Sequence, residues 1–470
     1  MDTKKLRQKI LDLAIHGKLV PQDPNDEPAS VLVERIRAEK EQLIKEGKIK
    51  APKKSRTAGD TSHYGKEGPF VLPVGWVWAT IGDIFLHNTG KALNASDRDG
   101  EKLTYITTSN LYWDRFELST LKEMLFTKSE IEKCTACKGD LLVCEGGDIG
   151  RAAIWQYDYD IRIQNHIHRL RGLGRVNHRL FMFWFMYLKT VGLIGGKGIG
   201  LMGLSSGELD KLEIPIPPLK EQNRIVDKID NLFTSILNLD DDCSSLMTNI
   251  ELFKSRVLDL AIHGKLVSQV PSEESAIELL KRINPSFQPS HNLHYDDVPQ
   301  GWVLCTLGEI TNYGKCLSVQ TEVIQDSDWV LELEDIEKGT GRLLRRVLKK
   351  ERAINGIRHR FSKGQVLYPK LRTYLNKVLI ADGNGYCTTE IIPITPCNGL
   401  MSQYLNIILR SPYFLDYTAR CGYGVKMPRL GTNDARKAVI PIPPLPEQQR
   451  IVTAVDRVFE KLDLLIETLK

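Results

Sequence analysis

The sequence predicts an α+β protein built as a circularly permuted tandem duplication, in which two homologous domains are joined by long coiled-coil helices. Two repeats predict this fold. A strand–proline–helix motif occurs as IPIPPLKEQNRIV from Ile214 and again as IPIPPLPEQQRIV from Ile440. The segment ILDLAIHGKLV from Ile10 is repeated as VLDLAIHGKLV from Val257, so the end of the central helix has its counterpart near the N-terminus. The duplication is therefore split inside a helix.

The helix that follows the first motif carries an apolar heptad pattern. Its apolar residues alternate spacings of four and three, which is typical of a coiled-coil seam. The seam consists of Ile225, Ile229, Leu232, Ile236, Leu239, Cys243, Leu246, Ile250, Phe253, Val257 and Leu260. The same spacing continues after the second motif, from Ile451 to Leu469. The pattern predicts an unbroken seam in the central helix.

The repeated motifs also predict the domain boundaries. Pro73-Val-Gly-Trp and Pro299-Gln-Gly-Trp each open a stretch in which short strand-like runs alternate with turns until the next Ile-Pro-Ile-Pro motif. A helix near Leu180 to Leu188 has a counterpart near Ser402 to Leu409. The predicted segments are an N-terminal half-helix and linker (1–71), a first domain (72–213), a central helical region (214–267), a linker (268–297), a second domain (298–439) and a C-terminal helical region (440–470).

Composition restricts the class of protein. The chain has 470 residues, of which 42% are hydrophobic and 26% charged, and its net charge of +5 permits nucleic-acid binding without requiring it. It contains no apolar run of about 18 residues, so no membrane span is predicted. The first residues predict an amphipathic helix and not a signal peptide. Nine scattered cysteines favour reduced thiols in the cytoplasm.

Motifs for catalysis or metal binding are weak. Asn284-Pro-Ser-Phe287 departs from the (Asp/Asn)-Pro-Pro-(Tyr/Phe) tetrapeptide of adenine methyltransferases. The glycine-rich Gly195-Gly-Lys-Gly segment lacks the Gly-Lys-(Ser/Thr) ending of a phosphate loop. Cys134-x-x-Cys137 has no second cysteine pair at zinc spacing. The sequence therefore predicts no catalytic residue and no metal ligand.

Basic residues are concentrated in the second domain, where twelve occur between Arg342 and Lys377 and the only acid is Glu351. Such a stripe favours an anionic partner over a merely solvated face. A sparser basic run crosses the first domain. Arginine can read guanine, and Asn or Gln can read adenine. The candidate DNA-contacting residues are Arg151, Gln164, His166, Arg169, Lys197, Arg345, Arg346, Lys370, Arg372, Tyr374, Asn376, Lys377, Lys426 and Arg429.

Taken together, these features resemble the specificity subunit of type I restriction-modification systems. The resemblance rests on the Pro-x-Gly-Trp domain starts, the strand Lys138-Gly-Asp-Leu-Leu-Val, the loop from Lys370 to Lys377 and the paired Ile-Pro-Ile-Pro-Pro-Leu-x-Glu-Gln motifs, and it covers nearly the whole chain. It implies two target recognition domains, each reading half of a bipartite site in double-stranded DNA. It also implies a pair of long antiparallel helices with pseudo-two-fold symmetry.

The same resemblance implies the partners. The chain would have no catalytic centre and no cofactor of its own, and would bind two methyltransferase subunits that methylate adenine N6 with S-adenosylmethionine, together with motor-nuclease restriction subunits. The outer helix faces are the expected methyltransferase contacts. Residues of the repeated motif assigned to subunit binding are Glu221, Gln222, Arg224, Glu447, Gln448 and Arg450. Cys144 to Arg151 differs from the Lys-Leu-Arg loop of the second domain, so the two loops need not use equivalent contacts.

Two other functions remain open from the sequence. The chain could be a coiled-coil scaffold whose basic domains bind DNA without sequence preference, which footprinting on random DNA would distinguish. It could also be a self-contained modification enzyme, which a methyl-transfer assay on the chain alone would test. The target bases and the spacer length cannot be read from the sequence.

Overall fold

The computed structural model describes residues 2–49, 70–94, 98–194, 204–290, 298–424 and 426–469. The chain forms two compact units, Met1–Asp241 and Asp242–Lys470, and one long helix passes through the boundary between them. Both units mix helices and strands, so the predicted α+β class is confirmed. Within the described ranges, no helix is long and apolar enough to cross a membrane.

The first unit begins with two helices and then alternates short strands with short helices. Its helices are α1 (Thr3–Ile15), α2 (Ala29–Lys45), α3 (Ile81–Ile84), α4 (Lys128–Cys134), α5 (His178–Thr190), α6 (Ser206–Lys211) and the start of α7 (Leu219–Ile262). Its strands are β1 (Val77–Thr80), β2 (Phe85–Thr89), β3 (Glu101–Ile106), β4 (Leu111–Tyr112), β5 (Arg115–Phe116), β6 (Lys122–Phe126), β7 (Thr135–Ala136), β8 (Leu141–Cys144), β9 (Ala152–Ile154), β10 (Ile161–Ile163), β11 (Ile167–Gly172) and β12 (Glu213–Ile216).

Two four-stranded sheets form the first domain, in the orders β6-β3-β10-β7 and β2-β11-β8-β9. Strands β4 and β5 make a separate hairpin. Strand β1 pairs antiparallel with β12, so the segment that enters the domain lies beside the segment that leaves it. Helix α5 is buried on most sides because six consecutive residues from Leu180 to Phe185 pack into the core, as its aromatic sequence predicts.

The second unit repeats this plan with fewer residues. Its helices are the remainder of α7, α8 (Ala276–Ile283), α9 (Leu307–Ile310), α10 (Ser402–Arg410), α11 (Pro412–Cys421), α12 (Thr432–Lys437) and α13 (Leu445–Leu469). Its strands are β13 (Val303–Thr306), β14 (Leu317–Gln320), β15 (Val330–Leu331), β16 (Ile357–Phe361), β17 (Val366–Pro369), β18 (Leu379–Ile380), β19 (Gly385–Thr388), β20 (Ile391–Ile394) and β21 (Val439–Ile442).

The sheets of the second unit have the orders β14-β16-β19-β15 and β18-β17-β20. Strand β13 pairs with β21 in the same antiparallel register as β1 with β12. The predicted helix near Ser402 is α10, which confirms the correspondence with α5. Helix α8 lies in the segment 268–297 predicted as a linker, and α2 lies in the segment 1–71 predicted as an N-terminal half-helix and linker.

In each unit a terminal helix pairs antiparallel with part of α7. In the first unit, Arg7 near the start of α1 binds Asp240 far along α7 at 3.1 Å, whereas Asp26, after α1, binds Arg224 near the start of α7. In the second unit, Lys254 of α7 binds Asp463 near the end of α13 at 2.5 Å. The antiparallel pairing implied by the resemblance is therefore present within each unit.

The predicted unbroken seam needs a correction. Its ends are buried, since Ile225 and Ile229 pack into the first core and Val257 packs into the second. Its middle is only partly buried, because Leu246 and Phe253 are 44% and 53% exposed, whereas Ile236 and Ile250 are buried. Near its C-terminal end α7 also buries Leu258, Ala261 and Ile262, which lie off the heptad positions, because the helix there packs against a globular domain as well as against another helix.

Candidate nucleic-acid interface

Three loops meet at one edge of the first domain. They are residues 107–110 after β3, residues 145–151 after β8 and residues 164–166 between β10 and β11. The Glu145 N–H donates to the His166 carbonyl at 3.0 Å, and the Gln164 N–H donates to the Ile106 carbonyl at 3.0 Å. The Arg151 guanidinium donates to the Thr108 carbonyl at 2.6 Å. We call these three segments the first loop cluster.

The cluster presents basic and aromatic side chains together. The side chain of His166 is 57% exposed and lies 3.8 Å from Glu145. The guanidinium groups of Arg115 and Arg151 lie 4.6 Å and 5.2 Å from the ring centre of Tyr112 on the β4–β5 hairpin. Sequence reasoning selected Arg151 and His166 but missed Tyr112 and Arg115. The alternation of aromatic and charged residues in Leu-Tyr-Trp-Asp-Arg-Phe was the signal for them.

Other candidates in the first domain have different positions. Arg169 is 4% exposed and donates to the buried carbonyl of Thr135, so its assignment to DNA binding is corrected: the guanidinium faces the interior. Burial lowers the pKa of this residue. Gln164 is half-buried and forms a backbone bridge with Lys91. Lys197 lies outside the described residues.

The second domain has a loop cluster at the equivalent place. The Glu332 N–H donates to the Asp335 carboxylate at 2.9 Å, as the Thr107 N–H does to the Asn110 side chain at 2.9 Å. The backbone bond from Glu145 to His166 has its counterpart in the bond from Lys370 to Glu390, at 2.9 Å. The second loop cluster therefore comprises residues 332–337, 370–377 and 388–390.

The two clusters carry different side chains at matched positions, and at one of them the charge is reversed. Lys370 occupies the place of Glu145, and Glu390 occupies the place of His166, by the strand registers of β8 with β11 and of β17 with β20. The acidic Glu390 is bound by Arg429 through two hydrogen bonds, of 2.7 and 3.0 Å. One fold thus offers different hydrogen-bonding groups at the same edge, which agrees with the expectation that the loops do not use equivalent contacts.

The loop from Lys370 to Lys377 has an unusual backbone. Arg372 and Asn376 both have positive φ, 52° and 47°, which costs a residue with a Cβ roughly 1 kcal/mol or more. The Arg372 N–H donates to the Pro428 carbonyl at 2.7 Å, and the Asn376 side chain donates to the Arg410 carbonyl at 3.1 Å. These bonds hold the strained loop, and Tyr374 at its tip is 58% exposed.

A cavity of about 690 Å³ opens beside this loop. Its lining includes Glu332, Arg352, Tyr368, Arg372 and Met427. Among the described residues, the buried hydroxyl of Tyr368 and the buried Nε of Arg372 have no hydrogen-bond partner. The loop therefore keeps unused donors close to its exposed tip.

Five of the twelve basic residues in the stripe of the second domain pair with acids of the same domain. The acidic segment Glu332 to Glu337 lies just before the stretch in which the basic residues were counted. The pairs are Arg342 with Glu337, Arg345 with Glu334 and Asp335, Arg352 with Glu334 and Asp335, Arg358 with Glu332, and, beyond that segment, Arg346 with Asp382. Burial raises the pKa of Asp335, but hydrogen bonds from Arg352, the Glu332 backbone and Arg345 hold it below its usual range overall.

This pairing changes how the stripe is interpreted. Self-repulsion does not require an external anion, because the domain supplies its own carboxylates. Arg345 and Arg346 remain partly exposed but are engaged, and Lys377 donates to the Leu333 carbonyl at 2.7 Å. In the described part of the second domain, the side chains of Lys370 and Arg372 have no ion-pair partner, and Lys426 is exposed. Among the candidate DNA-contacting residues of the second domain, these three are the cations whose charged groups no described residue binds. Elsewhere in the stripe, Lys350, Arg360 and Lys363 are exposed and also lack an acidic partner among the described residues.

Most of the residues assigned to subunit binding are buried and form hydrogen bonds inside their own unit instead. Glu221 accepts a hydrogen bond from the Trp76 indole at 3.0 Å, and Gln222 accepts one from the Asn177 N–H at 3.0 Å. Both side chains are at most 1% exposed. Burial raises the pKa of Glu221, although the Trp76 bond lowers it.

The second copy of the motif makes the same contacts. Glu447 accepts from Trp302 at 3.1 Å, and Gln448 accepts from the Met401 N–H at 2.9 Å. Glu221, Gln222, Glu447 and Gln448 are therefore corrected to residues that tie each domain to its helix. Arg224 and Arg450 are partly exposed and bind Asp26 and Glu273.

The described residues contain no group of three or more His, Cys, Asp or Glu side chains that could hold a metal ion.

Comparison with known proteins identifies the family. The family described as the type I restriction modification DNA specificity domain matches residues 73–240 and 360–470. The chain belongs to this family. Its relatives include the type I restriction enzyme EcoAI specificity subunit of Escherichia coli, 27% identical over 99% of this chain and 91% of that protein. The EcoEI specificity subunit of the same species is 25% identical over 98% of this chain and 90% of that protein.

Solved structures of specificity subunits share the fold. The HsdS subunit from Thermoanaerobacter tengcongensis superposes with a TM-score of 0.51 at 19% identity, covering 86% of this chain and 93% of that one. A chain from a study of complex assembly and conformational transition in a type I restriction-modification system gives a TM-score of 0.58 at 18% identity, covering 85% and 94%. The resemblance to specificity subunits is confirmed, and with it a role in recognising DNA.

Proposed function

We propose that each domain of this chain reads one half of a bipartite site in double-stranded DNA, and that the long helices set the spacing of the halves and dock two methyltransferase subunits. The observation that carries this proposal is the pair of loop clusters, which are equivalent in strand register but present different side chains at the matched positions. A non-specific scaffold would need only phosphate contacts, and these do not call for different groups at matched positions.

The catalytic step belongs to the partners in this proposal. The methyltransferase subunits would methylate adenine N6 with S-adenosylmethionine, and motor-nuclease subunits would join the same complex. The exposed apolar residues in the middle of the helices support a docking role, because exposed apolar patches mark interaction sites. Those that lie on the seam are Leu239 in the first unit and Leu246, Phe253 and Leu465 in the second. None of the nine cysteines, all of them described, forms a disulfide, which supports a cytoplasmic location.

Mapping methylation tests the proposal. The chain is combined with its methyltransferase subunits, the complex is allowed to modify bacterial genomic DNA, and the modified adenines are located by sequencing. We expect modified adenines in two short sequences separated by a constant number of unspecified base pairs. Modified positions without a shared sequence would favour the scaffold alternative, and methylation by the chain alone would favour the enzyme alternative.

A further inference from the structure

In the first unit, Arg179 connects a hairpin at the first loop cluster to the long helix. The residue lies in the first turn of α5 and directs its guanidinium between two carboxylates. It donates to Asp230 of α7 at 2.7 to 3.0 Å through Nε and one terminal nitrogen. It donates to Asp114 at 2.7 Å through both terminal nitrogens. Such two-pronged pairs fix orientation as well as distance.

Asp114 is the turn residue of the β4–β5 hairpin, between Tyr112 and Arg115. It has a positive φ of 56°, and its N–H donates to the Ala152 carbonyl at 3.2 Å. Tyr112 and Arg115 belong to the basic and aromatic group at the first loop cluster. The turn that presents those two side chains is therefore the point to which Arg179 is attached.

The arrangement around Arg179 leaves little freedom. Its side chain is 27% exposed and its guanidinium lies 5.3 Å from the ring centre of Phe183. The residue that caps α5, Asn177, is held by the Gln222 side chain at the start of α7. The hairpin, α5 and α7 therefore meet at one cation, and a shift of the hairpin relative to α7 would break hydrogen bonds on one side of it.

Among the described residues, no side chain of the second domain is paired in this way with one carboxylate of a loop and another of α7. Arg410 of α10 donates to the Gly339 carbonyl at 3.1 Å, in the turn between the bridged residues Ile336 and Leu343, but it forms no ion pair with α7.

Met401 corresponds to Asn177, because its N–H is bound by Gln448 as that of Asn177 is by Gln222. The residue that corresponds to Arg179 is therefore Gln403. In the described part of the second unit, the side chain of Gln403 makes no hydrogen bond. The connection is a property of the first domain alone.

We infer that Arg179 is a positioning residue that fixes the reading hairpin of the first domain to α7, and so sets where the first half-site is read relative to the helix. This inference rests on the proposed function. Arg179 itself is saturated by carboxylates and does not read DNA. Its loss would let the hairpin, with Tyr112 and Arg115, shift along DNA relative to α7.

The test measures the preference for spacer length. The full chain, combined with its methyltransferase subunits, modifies a DNA library in which the two half-sites are separated by spacers of every length near the preferred one. For Arg179→Gln we expect the rate on neighbouring spacers, relative to the preferred spacer, to rise about tenfold, within the range of coupling in one ion-pair network. Arg179→Lys keeps the positive charge but cannot make paired hydrogen bonds to both carboxylates. It should therefore give an intermediate rise in the relative rate on neighbouring spacers.

Two controls separate positioning from folding. Arg171→Gln removes another two-pronged ion pair of the same domain, with the buried Asp140, and should lower thermal stability without changing the spacer profile. Gln403→Ala alters the corresponding position of the second domain and should change neither. Should Arg179→Gln fail to fold, Asp114→Asn weakens the hairpin side of the connection at a turn and should broaden the profile by itself.

The outcomes distinguish the inference from the function on which it rests. If the parent chain shows no preferred spacing, the proposed function is wrong and the inference falls with it. If the parent prefers one spacing and both Arg179→Gln and Asp114→Asn keep that profile, or change it no more than Arg171→Gln does, the inference alone is overturned. A double variant of Asp114→Asn and Asp230→Asn that exceeds the sum of its single effects would also contradict a single shared connection.

Discussion

Trp302 donates its indole N–H to the Glu447 carboxylate at 3.1 Å, and the bond joins residues 145 positions apart. Trp76 and Glu221 form the same bond at 3.0 Å across the same separation of 145 positions. The tryptophan belongs to the motif that opens a domain, and the glutamate to the motif that closes it. The bond therefore connects the start of each domain to the helix that follows the end of that domain.

The surroundings of this bond are duplicated as well. A Cβ added to Gly264 would lie 2.5 Å from Pro299 and 3.2 Å from the Trp302 ring. At Gly17 the corresponding distances, to Pro73 and Trp76, are 2.4 and 3.2 Å. Both glycines also have positive φ, of 65° and 64°. Glycine is required there by backbone conformation and by space.

Removing the indole donor should destabilise the second unit. Trp302→Phe leaves the buried Glu447 carboxylate without one of its donors, which should lower the free energy of unfolding by about 1–3 kcal/mol. Urea unfolding measures the change. Trp329→Phe is the matched control, since the buried Trp329 indole nitrogen has no partner among the described residues. Equal losses in the two variants would show that the bond to Glu447 contributes nothing specific.

The available cations of the 370–377 loop should contribute differently to DNA binding. We expect Arg372→Ala to cost about 1–3 kcal/mol at the second half-site and to relax base preference there, because its backbone holds the guanidinium at the reading edge. Lys370→Ala should weaken all sequences alike and reduce the salt slope of binding by about 1. Binding titrations at several salt concentrations measure both.

Arg420→Ala is the control for this pair, because Arg420 is an exposed cation on α11 that pairs with Asp416. It should leave affinity and salt slope unchanged. Wild-type affinity in both loop variants at every salt concentration would remove the second loop cluster from the DNA interface.

The exposed middle of the seam should bind the methyltransferase subunit. Replacing Phe253 or Leu246 with Ser should weaken assembly by about 1–2 kcal/mol each, since burial of an apolar side chain contributes that amount. The free energy of unfolding should change little, because both side chains are exposed in the chain alone. Sedimentation of the mixed subunits measures assembly. Leu252→Ser is the control: Leu252 is 68% exposed on the same helix but lies off the seam. Equal weakening by all three would show that the seam is not the docking face.

A buried histidine should make the first unit acid-sensitive. His168 donates from Nε2 to the Leu204 carbonyl at 2.6 Å, and its Nδ1 faces His87, which in turn binds Asp210. Burial, assisted by the nearby His87, lowers the pKa of His168 from 6.5 to about 4. As the pH falls, His168 therefore becomes protonated in the unfolded chain before it does so in the folded chain. The resulting stability is present above pH 6.5 and is lost as the pH falls towards 4.

That loss should reach on the order of 3 kcal/mol for a shift of this size. Urea midpoints measured between pH 7.5 and 4.5 test it. His168→Gln should lower stability at neutral pH and flatten the decline below pH 6.5. An equally steep decline in the variant would place the acid sensitivity on other groups.

The frame of the fold was predictable because its signals are local and occur twice. The proline pairs before Leu219 and Leu445 mark where α7 and α13 begin, and the heptad pattern indicates their length. The strands that precede them are where the Ile-Pro alternation predicts. Partial burial of the seam was not predictable, since the period of a helix does not say which stretch of it a domain covers.

The interface was predictable only in part, because charge pairing is a property of the fold. Arg169 and Arg171 lie on the same face of β11, so the sequence does not distinguish them. In the fold Arg169 is buried and donates to the Thr135 carbonyl, whereas the side chain of Arg171 is 40% exposed. In the sequence the basic stripe lacks nearby acids, because most of the acids that pair with it come before it in the chain. The fold brings these acids into contact with the stripe. Arg372 and Lys370 remain candidates for DNA contact, but nothing in the sequence distinguishes them from their paired neighbours.

The ribbons formed by β1 with β12 and by β13 with β21 have an evolutionary consequence. The first and last strands of each recognition domain are paired with each other, so the chain enters and leaves the domain at one place. The segment between those strands can therefore be exchanged as a unit. Recombination at the two repeated motifs could replace one such segment while the other keeps its own preference. A lineage that carries this architecture can therefore acquire a new combined target in a single genetic exchange, without waiting for individual contacts to be remodelled.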